Sequence, residues 1–312
     1  MAAQVSDRFD LGPDARLEVE AARGEQGQVR RLLTARGTFA VKESFGPLDA
    51  IDADDAQRTA EFQVSCHDAG APCPRPLPDT AGRFLADIGG LPIRVQTWVD
   101  IDDPDPMLDP EVVGAALARL HAVTLSATGP PHWWGTAPVG ATEWRALVKA
   151  AKGAGAPFAQ RLAALVPNLL AMEELLTPMA AVQWCHLDLW ADNLRGTPDG
   201  AACIVDFDNA GPGDPTRELA MVLFEFARTG AERVRALVSA YEAAGGPARV
   251  TRAEDFGLTI AQLHHIGRYQ VLGWLNARDP EARARAHAGV AEFVDEPFVR
   301  GDVERLLGWL QR

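Results

Sequence analysis

The chain is short of cysteine, lysine, tyrosine and long apolar runs, and each shortage narrows what it can be. Four of its 312 residues are cysteines, Cys66, Cys73, Cys185 and Cys203, with no CxxC pair and no histidine at ligand spacing. Metal binding through sulfur is therefore not expected, and Cys185 and Cys203, in apolar strand contexts, read as small core residues. No run of about eighteen apolar residues occurs, so no membrane span is expected. The first ten residues, MAAQVSDRFD, carry acids where a signal peptide needs a basic and then an apolar stretch, which points to the cytoplasm. Positive charge is scarce: 43 acids face 30 bases, for a formal charge of −13. A nucleic-acid partner calls for a basic footprint and is not expected. The acidity suits a cationic small-molecule partner, and equally an acidic surface kept for solubility. No segment of 20–50 residues repeats, which excludes a solenoid.

What is present describes a globular chain with 47% apolar residues, long enough to bury a large core. The chemistry concentrates in residues 183–208, QWCHLDLWADNLRGTPDGAACIVDFD. Two β-like runs, Val182–Cys185 and Ala202–Val205, flank a polar loop and a hairpin turning at Thr-Pro-Asp-Gly. The hairpin returns Asp206 beside the loop that carries His186, Asp188 and Asn193. One amide oxygen and two carboxylates then face one volume. This hard-oxygen set suits Mg²⁺ and leaves one carboxylate to orient a hydroxyl.

Lys42 stands out for a different reason. Only three lysines, Lys42, Lys149 and Lys152, accompany 27 arginines. In a composition that favours arginine so heavily, a lysine in the apolar strand Phe39-Ala-Val-Lys suggests a chemical need for a compact ammonium. A solvated lysine on an edge strand is the plainer account.

His-x-Asp-x-x-x-x-Asn followed by Asp-Phe-Asp resembles the catalytic and metal loops of the aminoglycoside phosphotransferase / choline kinase family, small-molecule relatives of the protein kinases. The resemblance implies an α+β, bilobal protein-kinase-like fold. Residues 1–98 would form a β-rich N-lobe with one main helix, and 99–312 a mostly helical C-lobe. It implies ATP and Mg²⁺ as cofactors, with a hydroxyl of a small, cationic molecule as acceptor. Asp188 would be the catalytic base and His186 would brace its loop. Asn193 and Asp206 would hold the metal, and Lys42 the α- and β-phosphates. Glu61, on a helix expected at 53–69, would pair with Lys42. Gly24 and Gly27 would line the turn over the phosphates, although a plain hairpin explains them as well. Thr97 and Val99, in the segment PIRVQTWVD, would present backbone groups to adenine.

Further on, GDPTRELA departs from the family's GDP-x-x-D-L-A by placing Glu218 where Asp is usual, which leaves its role open; Asp214 is expected to cap a helix. The acidic run from Asp100 to Glu111 suits either a polyamine or a solvated loop with helix caps. Helices are expected at about 110–124, 142–152, 157–176, 215–228, 231–244, 252–277, 279–294 and 300–311. The family builds its acceptor site in the last hundred residues. Glu225, Asp255, His264, His265, Arg268, Asp295 and Glu296 are candidates there, with a solvated helix face as the competing account; Asp208, after the hairpin, is a candidate to reach the metal or the acceptor, with turn capping as its competing account. His264 and His265 cannot face the same way on a helix, so at most one is expected to point into a pocket. An aminoglycoside-type antibiotic is the first acceptor expected. Choline, homoserine, sugars and macrolides are the alternatives, and a non-catalytic nucleotide-binding scaffold is the reading from another class.

Overall fold

The computed structural model of the chain describes residues 1–18, 22–23, 27–45, 51–127, 129–179 and 182–311. In chain order its first elements are α1 (Ala2–Arg8), β1 (Arg16–Leu17), β2 (Ala22–Arg23), β3 (Gly27–Thr34), β4 (Gly37–Ser44) and α2 (Ala53–Asp68). Then come β5 (Pro76–Leu77), β6 (Ala86–Ile88), β7 (Leu91–Thr97), α3 (Pro110–His121), α4 (Ala141–Gly153) and α5 (Ala159–Glu173). Four short strands follow: β8 (Gln183–Cys185), β9 (Leu194–Gly196), β10 (Ala202–Ile204) and β11 (Gly211–Gly213). The chain closes with α6 (Pro215–Ala227), α7 (Ala231–Ala243), α8 (Gly257–Asn276), α9 (Pro280–Asp295) and α10 (Arg300–Leu310).

Packing divides these elements into two compact units. One comprises Met1–Leu125, Asp188–Ala210 and Ala240–Gly246. The other comprises Ser126–Leu187, Gly211–Ser239 and Pro247–Arg312. The hairpin β9–β10 therefore belongs with the first unit.

In that first unit the strands β1–β7 form one antiparallel sheet along the path β1-β3-β4-β7-β5, with β2 added to β3 and β6 to β7. The β4–β7 register sets Lys42 directly opposite Arg94. Side chains on opposed strand residues emerge on the same face, so these two cations are neighbours by construction. The sheet's core joins Leu32, Val41, Ile93 and Val95 to Val5, Phe9 and Leu11 of the N-terminal segment. Helix α1 was not expected. Its Val5 and Phe9, four residues apart, are the apolar stripe that docks it. Strand β5 was also missed, because two residues opening on proline carry little strand signal.

Helix α2 begins where Asp52 accepts the N–H groups of Asp54 and Asp55, both at 3.0 Å. These are two of the donors a helix start leaves without partners. It buries Ala56, Ala60, Phe62, Gln63 and Cys66. The acidic run resolves into local loop chemistry. Asp105 accepts Met107 N–H at 2.7 Å, and Asp109 caps α3 through Glu111 N–H at 2.9 Å.

The second unit is mainly helical. Its core gathers Trp144 and Leu147 of α4, Leu162, Leu165 and Leu169 of α5, Val271 and Trp274 of α8, and Val290 of α9. Strands β8 and β11 pair antiparallel, a partnership the sequence did not suggest for the Gly-Pro-Gly of β11. Asp214 caps α6 as expected, accepting Thr216 N–H at 2.8 Å with Pro215 in the first turn. The helices expected from residue 142 onward all appear, most within two residues of their ends; a 3₁₀ turn at Ala253–Phe256 precedes α8.

Candidate active site

Strand β8 delivers the chain to His186, which is fully buried, and then to Leu187, which adopts φ +65°. A leucine in the left-handed region is strained and persists only where surrounding structure over-determines it. Two buried side chains do so. Glu218 on α6 accepts the Leu187 N–H, and Gln262 on α8 donates Nε2–H to the Leu187 carbonyl at 2.6 Å. Both backbone groups of the residue before Asp188 are thus clamped. The longer acid at Glu218, whose role the sequence left open, holds this loop.

Asp188 is half-buried. Its Oδ2 accepts from Asn193 Nδ2 at 3.0 Å and from Asn209 Nδ2 at 2.9 Å. Asn193 Nδ2 also donates to the Asp188 carbonyl at 2.8 Å. An amide that spends its nitrogen on one side presents its oxygen on the other. Asn193 is thus fixed with its acceptor turned away from Asp188. Asn209 was missed in the sequence; its one signal was its place directly after Asp-Phe-Asp.

The hairpin returns as expected, with Val205 N–H donating to the Asn193 carbonyl at 2.8 Å. Asp206 follows at φ +58°, a conformation aspartate tolerates better than most residues. Phe207 is buried and meets Phe62 of α2 edge-on, ring centroids 6.0 Å apart, which anchors the turn. Lys42 Nζ donates to Asp206 Oδ1 at 2.7 Å and to Asp208 Oδ2 at 2.8 Å. Arg94 Nη1 donates to the other oxygen of Asp208. Burial alone would push the Lys42 ammonium down, but Asp208 and Asp206 outweigh it and its pKa stands above the ordinary value. Burial likewise disfavours the Asp208 carboxylate, and Lys42 and Arg94 together hold its pKa below the usual range.

Several expectations need correction. The Lys42–Glu61 pair is not formed. Glu61 lies on the exposed face of α2, where Oε1 accepts from Gln57 Nε2 at 2.9 Å, while the inward positions belong to Phe62 and Gln63. Gly27 is a buried residue of β3. A Cβ there would stand 2.5 Å from the Glu43 carbonyl oxygen, so close strand packing accounts for this glycine. Gly24 lies outside the described residues. The Thr97 N–H is committed to the Arg75 carbonyl at 2.9 Å, and its Oγ1 to Arg75 N–H at 2.8 Å. Val99 lines a cavity of about 580 Å³ with His67, Cys73, Asp100 and the hairpin turn around Pro198.

Among the acceptor candidates, Asp208 serves Lys42 and Arg94 instead. His264 is buried and pairs through Nδ1 with Glu173 Oε1 at 3.1 Å; Glu173 also takes Trp144 Nε1–H at 3.0 Å. His265 faces another way and is buried too, stacked on Trp134 with its Nε2 2.9 Å from the Ala137 carbonyl, so neither histidine lies on a solvated helix face. Both histidines find room because the Trp133–Trp134 turn packs on one flank of α8 and Glu173 lies on another. Arg268 pairs with Glu143 at 2.9 Å, and Asp295 with Arg161. Glu225 is half-buried on α6, and Glu296 is exposed at the end of α9.

Among the described residues no three His, Cys, Asp or Glu side chains cluster into a self-sufficient metal cage. Asn193 and Asp206 together offer one amide oxygen and one exposed carboxylate. That sparse, all-oxygen set fits Mg²⁺, which keeps several waters and takes phosphate oxygens for the rest.

The sheet-bearing unit and the mainly helical unit together give the chain a kinase-like fold. The chain belongs to the phosphotransferase enzyme family, APH, whose family model matches residues 18–254. It is 29% identical to a homoserine kinase of Beijerinckia indica over 44% of this chain and 43% of that protein. It is 26% identical to a homoserine kinase of Methylobacillus flagellatus over 61% of this chain and 60% of that protein. The chain thus spans less than two thirds of either relative. Among solved structures, an aminoglycoside phosphotransferase from Alicyclobacillus acidocaldarius matches at TM-score 0.61 and 17% identity, over 97% of this chain and 94% of that one. An amicoumacin kinase solved with AMP-PNP, Ca²⁺ and Ami matches at TM-score 0.65 and 13% identity, over 97% and 95%.

Proposed function

We propose that the protein transfers the γ-phosphoryl group of ATP, with Mg²⁺, to the hydroxyl of a small amino alcohol. The carrying observation is Asp188, held at Oδ2 by Asn193 and Asn209 on a loop clamped at Leu187. A carboxylate so oriented is suited to accept a hydroxyl proton as the acceptor oxygen bonds to γ-phosphorus and the β,γ-bridging oxygen departs with ADP. His186 braces this loop from a buried position. Asn193 and Asp206 are the residues that would hold the divalent cation, which when bound neutralises phosphate charge. Lys42 supplies the ammonium for the α- and β-phosphates, and Val99 a backbone contact for adenine. On this reading residues 1–98 are the nucleotide lobe, and 99–312 carry the catalytic loops and acceptor site. Little covalent work falls to the protein; positioning and charge do most of it.

Two homoserine kinases among the sequence relatives favour an amino alcohol such as homoserine. An aminoglycoside-type antibiotic is the second reading, favoured by the fold neighbour from Alicyclobacillus. Both acceptors carry an amine, in keeping with the chain's negative charge. The test is ADP release with Mg·ATP against a panel of homoserine, choline, an aminoglycoside and a macrolide. Turnover with homoserine alone supports the first reading, and turnover with the aminoglycoside alone supports the second. No release with any alcohol, and no binding of nucleotide, would overturn the kinase assignment.

A further inference from the structure

Lys42 needs a carboxylate to hold its flexible stem in place, and the helix glutamate expected to do so faces solvent. Glu43, the adjacent acid on β4, is also committed elsewhere: its Oε2 takes Gln28 Nε2 at 2.6 Å and Arg30 Nη2 at 3.1 Å. The hydrogen bonds Lys42 makes go to Asp206 and Asp208. If Asp206 turns its carboxylate to a divalent cation, Asp208 is the partner that stays. Asp208 is fixed in turn by Arg94, which stands across the β4–β7 ladder from Lys42.

We infer that Arg94, acting through Asp208, is the positioning residue that brackets Lys42 for the nucleotide, taking the part a helix glutamate plays elsewhere. The bracket is built within the sheet and the turn after β10, not from α2. Its geometry is rigid for a physical reason. Lys42 and Arg94 are set side by side by strand register, and each takes a different oxygen of Asp208, so the carboxylate is held from both sides. This inference rests on the kinase reading for the identity of the ligand that Lys42 meets.

The experiment is calorimetric titration of the full chain with Mg²⁺ and a non-hydrolysable ATP analogue, alongside steady-state kinetics. Arg94→Gln is expected to weaken analogue binding about tenfold or more and to raise the KM for ATP by a similar factor, with a smaller change in kcat. Arg94→Lys, which keeps the charge, should recover most of that affinity. Asp208→Asn should weaken binding as well. The double variant should be no worse than Asp208→Asn alone, because that change already removes the carboxylate through which Arg94 acts. Glu61→Ala should bind within twofold of wild type. Wild-type affinity in Arg94→Gln, or a loss in Glu61→Ala as large as that expected for Arg94→Gln, would overturn the inference while leaving the kinase reading intact. A wild-type protein that binds no nucleotide would overturn the kinase reading itself, and the inference with it.

Discussion

The carboxylate of Glu218 accepts the backbone N–H of Leu187, one residue before Asp188, from a position with no solvent exposure. A backbone donor buried against one buried acid depends on it. Glu218→Ala removes the acceptor and leaves that N–H without its partner, costing about 1–3 kcal/mol. The loop relaxes from its strained conformation at the same time. Chemical denaturation should show the loss of stability, and turnover should fall with it. Glu218→Gln, whose side-chain carbonyl still accepts, should be much milder; equal damage from both would mean the negative charge, not the hydrogen bond, is what matters.

Asp188→Ala removes the group proposed to take the acceptor's proton. A general base contributes about 10²–10⁴-fold, so turnover should drop by that order while analogue affinity survives. Rapid-quench or coupled-assay turnover near the wild-type rate would refute the role.

Asp206→Ala should act on binding. It removes a proposed ligand of the cation and one of Lys42's two acceptors, so affinity for Mg²⁺ with a non-hydrolysable ATP analogue should fall about tenfold or more, a change of about 1.4 kcal/mol per factor of ten. The calorimetric signal without Mg²⁺ should change less.

Phe62→Ala leaves a cavity beneath Phe207, the buried residue between Asp206 and Asp208. Truncating a fully buried phenylalanine costs about 3–5 kcal/mol. Melting temperature should fall, and nucleotide affinity with it, because the turn loses its floor. A stable variant with intact affinity would show that the turn is held from elsewhere.

Acid should destabilise the fold through identifiable carboxylates. Burial opposes ionisation of Asp79, Glu173 and Asp208, yet each is held below the usual carboxylate range. Asp79 owes this to Arg83 and Ala81 N–H groups and Arg8, Glu173 to His264, Trp144 and Gly140, and Asp208 to Lys42 and Arg94. A carboxylate with a lower pKa folded than unfolded contributes stability that is fully present above its unfolded pKa. That contribution is lost as pH falls through the folded value. Denaturation midpoints should therefore decline on acidification below about pH 4. His265 adds to the loss slightly earlier: burial lowers its pKa, so the unfolded chain binds that proton first as pH drops below about 6.5.

Much of this was legible in residue order. The spacing of Asp188, Asn193 and Asp206 across a Thr-Pro-Asp-Gly turn allows little besides a loop and a returning hairpin, since short-range turn chemistry fixes both. Asp214 followed by proline announced the start of α6 in the same local way. The scarcity of lysine singled out Lys42 before any strand was paired.

Sequence alone thus determined the fold class and the family, and marked Asp188, Asn193, Asp206 and Lys42 as the candidates for the chemistry, because those depend on local spacing and residue type. Tertiary structure decided who partners whom. Helix rotation turned Glu61 to solvent, and strand register set Arg94 beside Lys42, a separation of 52 positions that no local pattern records. Packing also brought Glu218 and Gln262 to the backbone of Leu187 and stacked His265 on Trp134. Such contacts between distant residues follow from how faces meet once the elements pack, and so appear only in three dimensions.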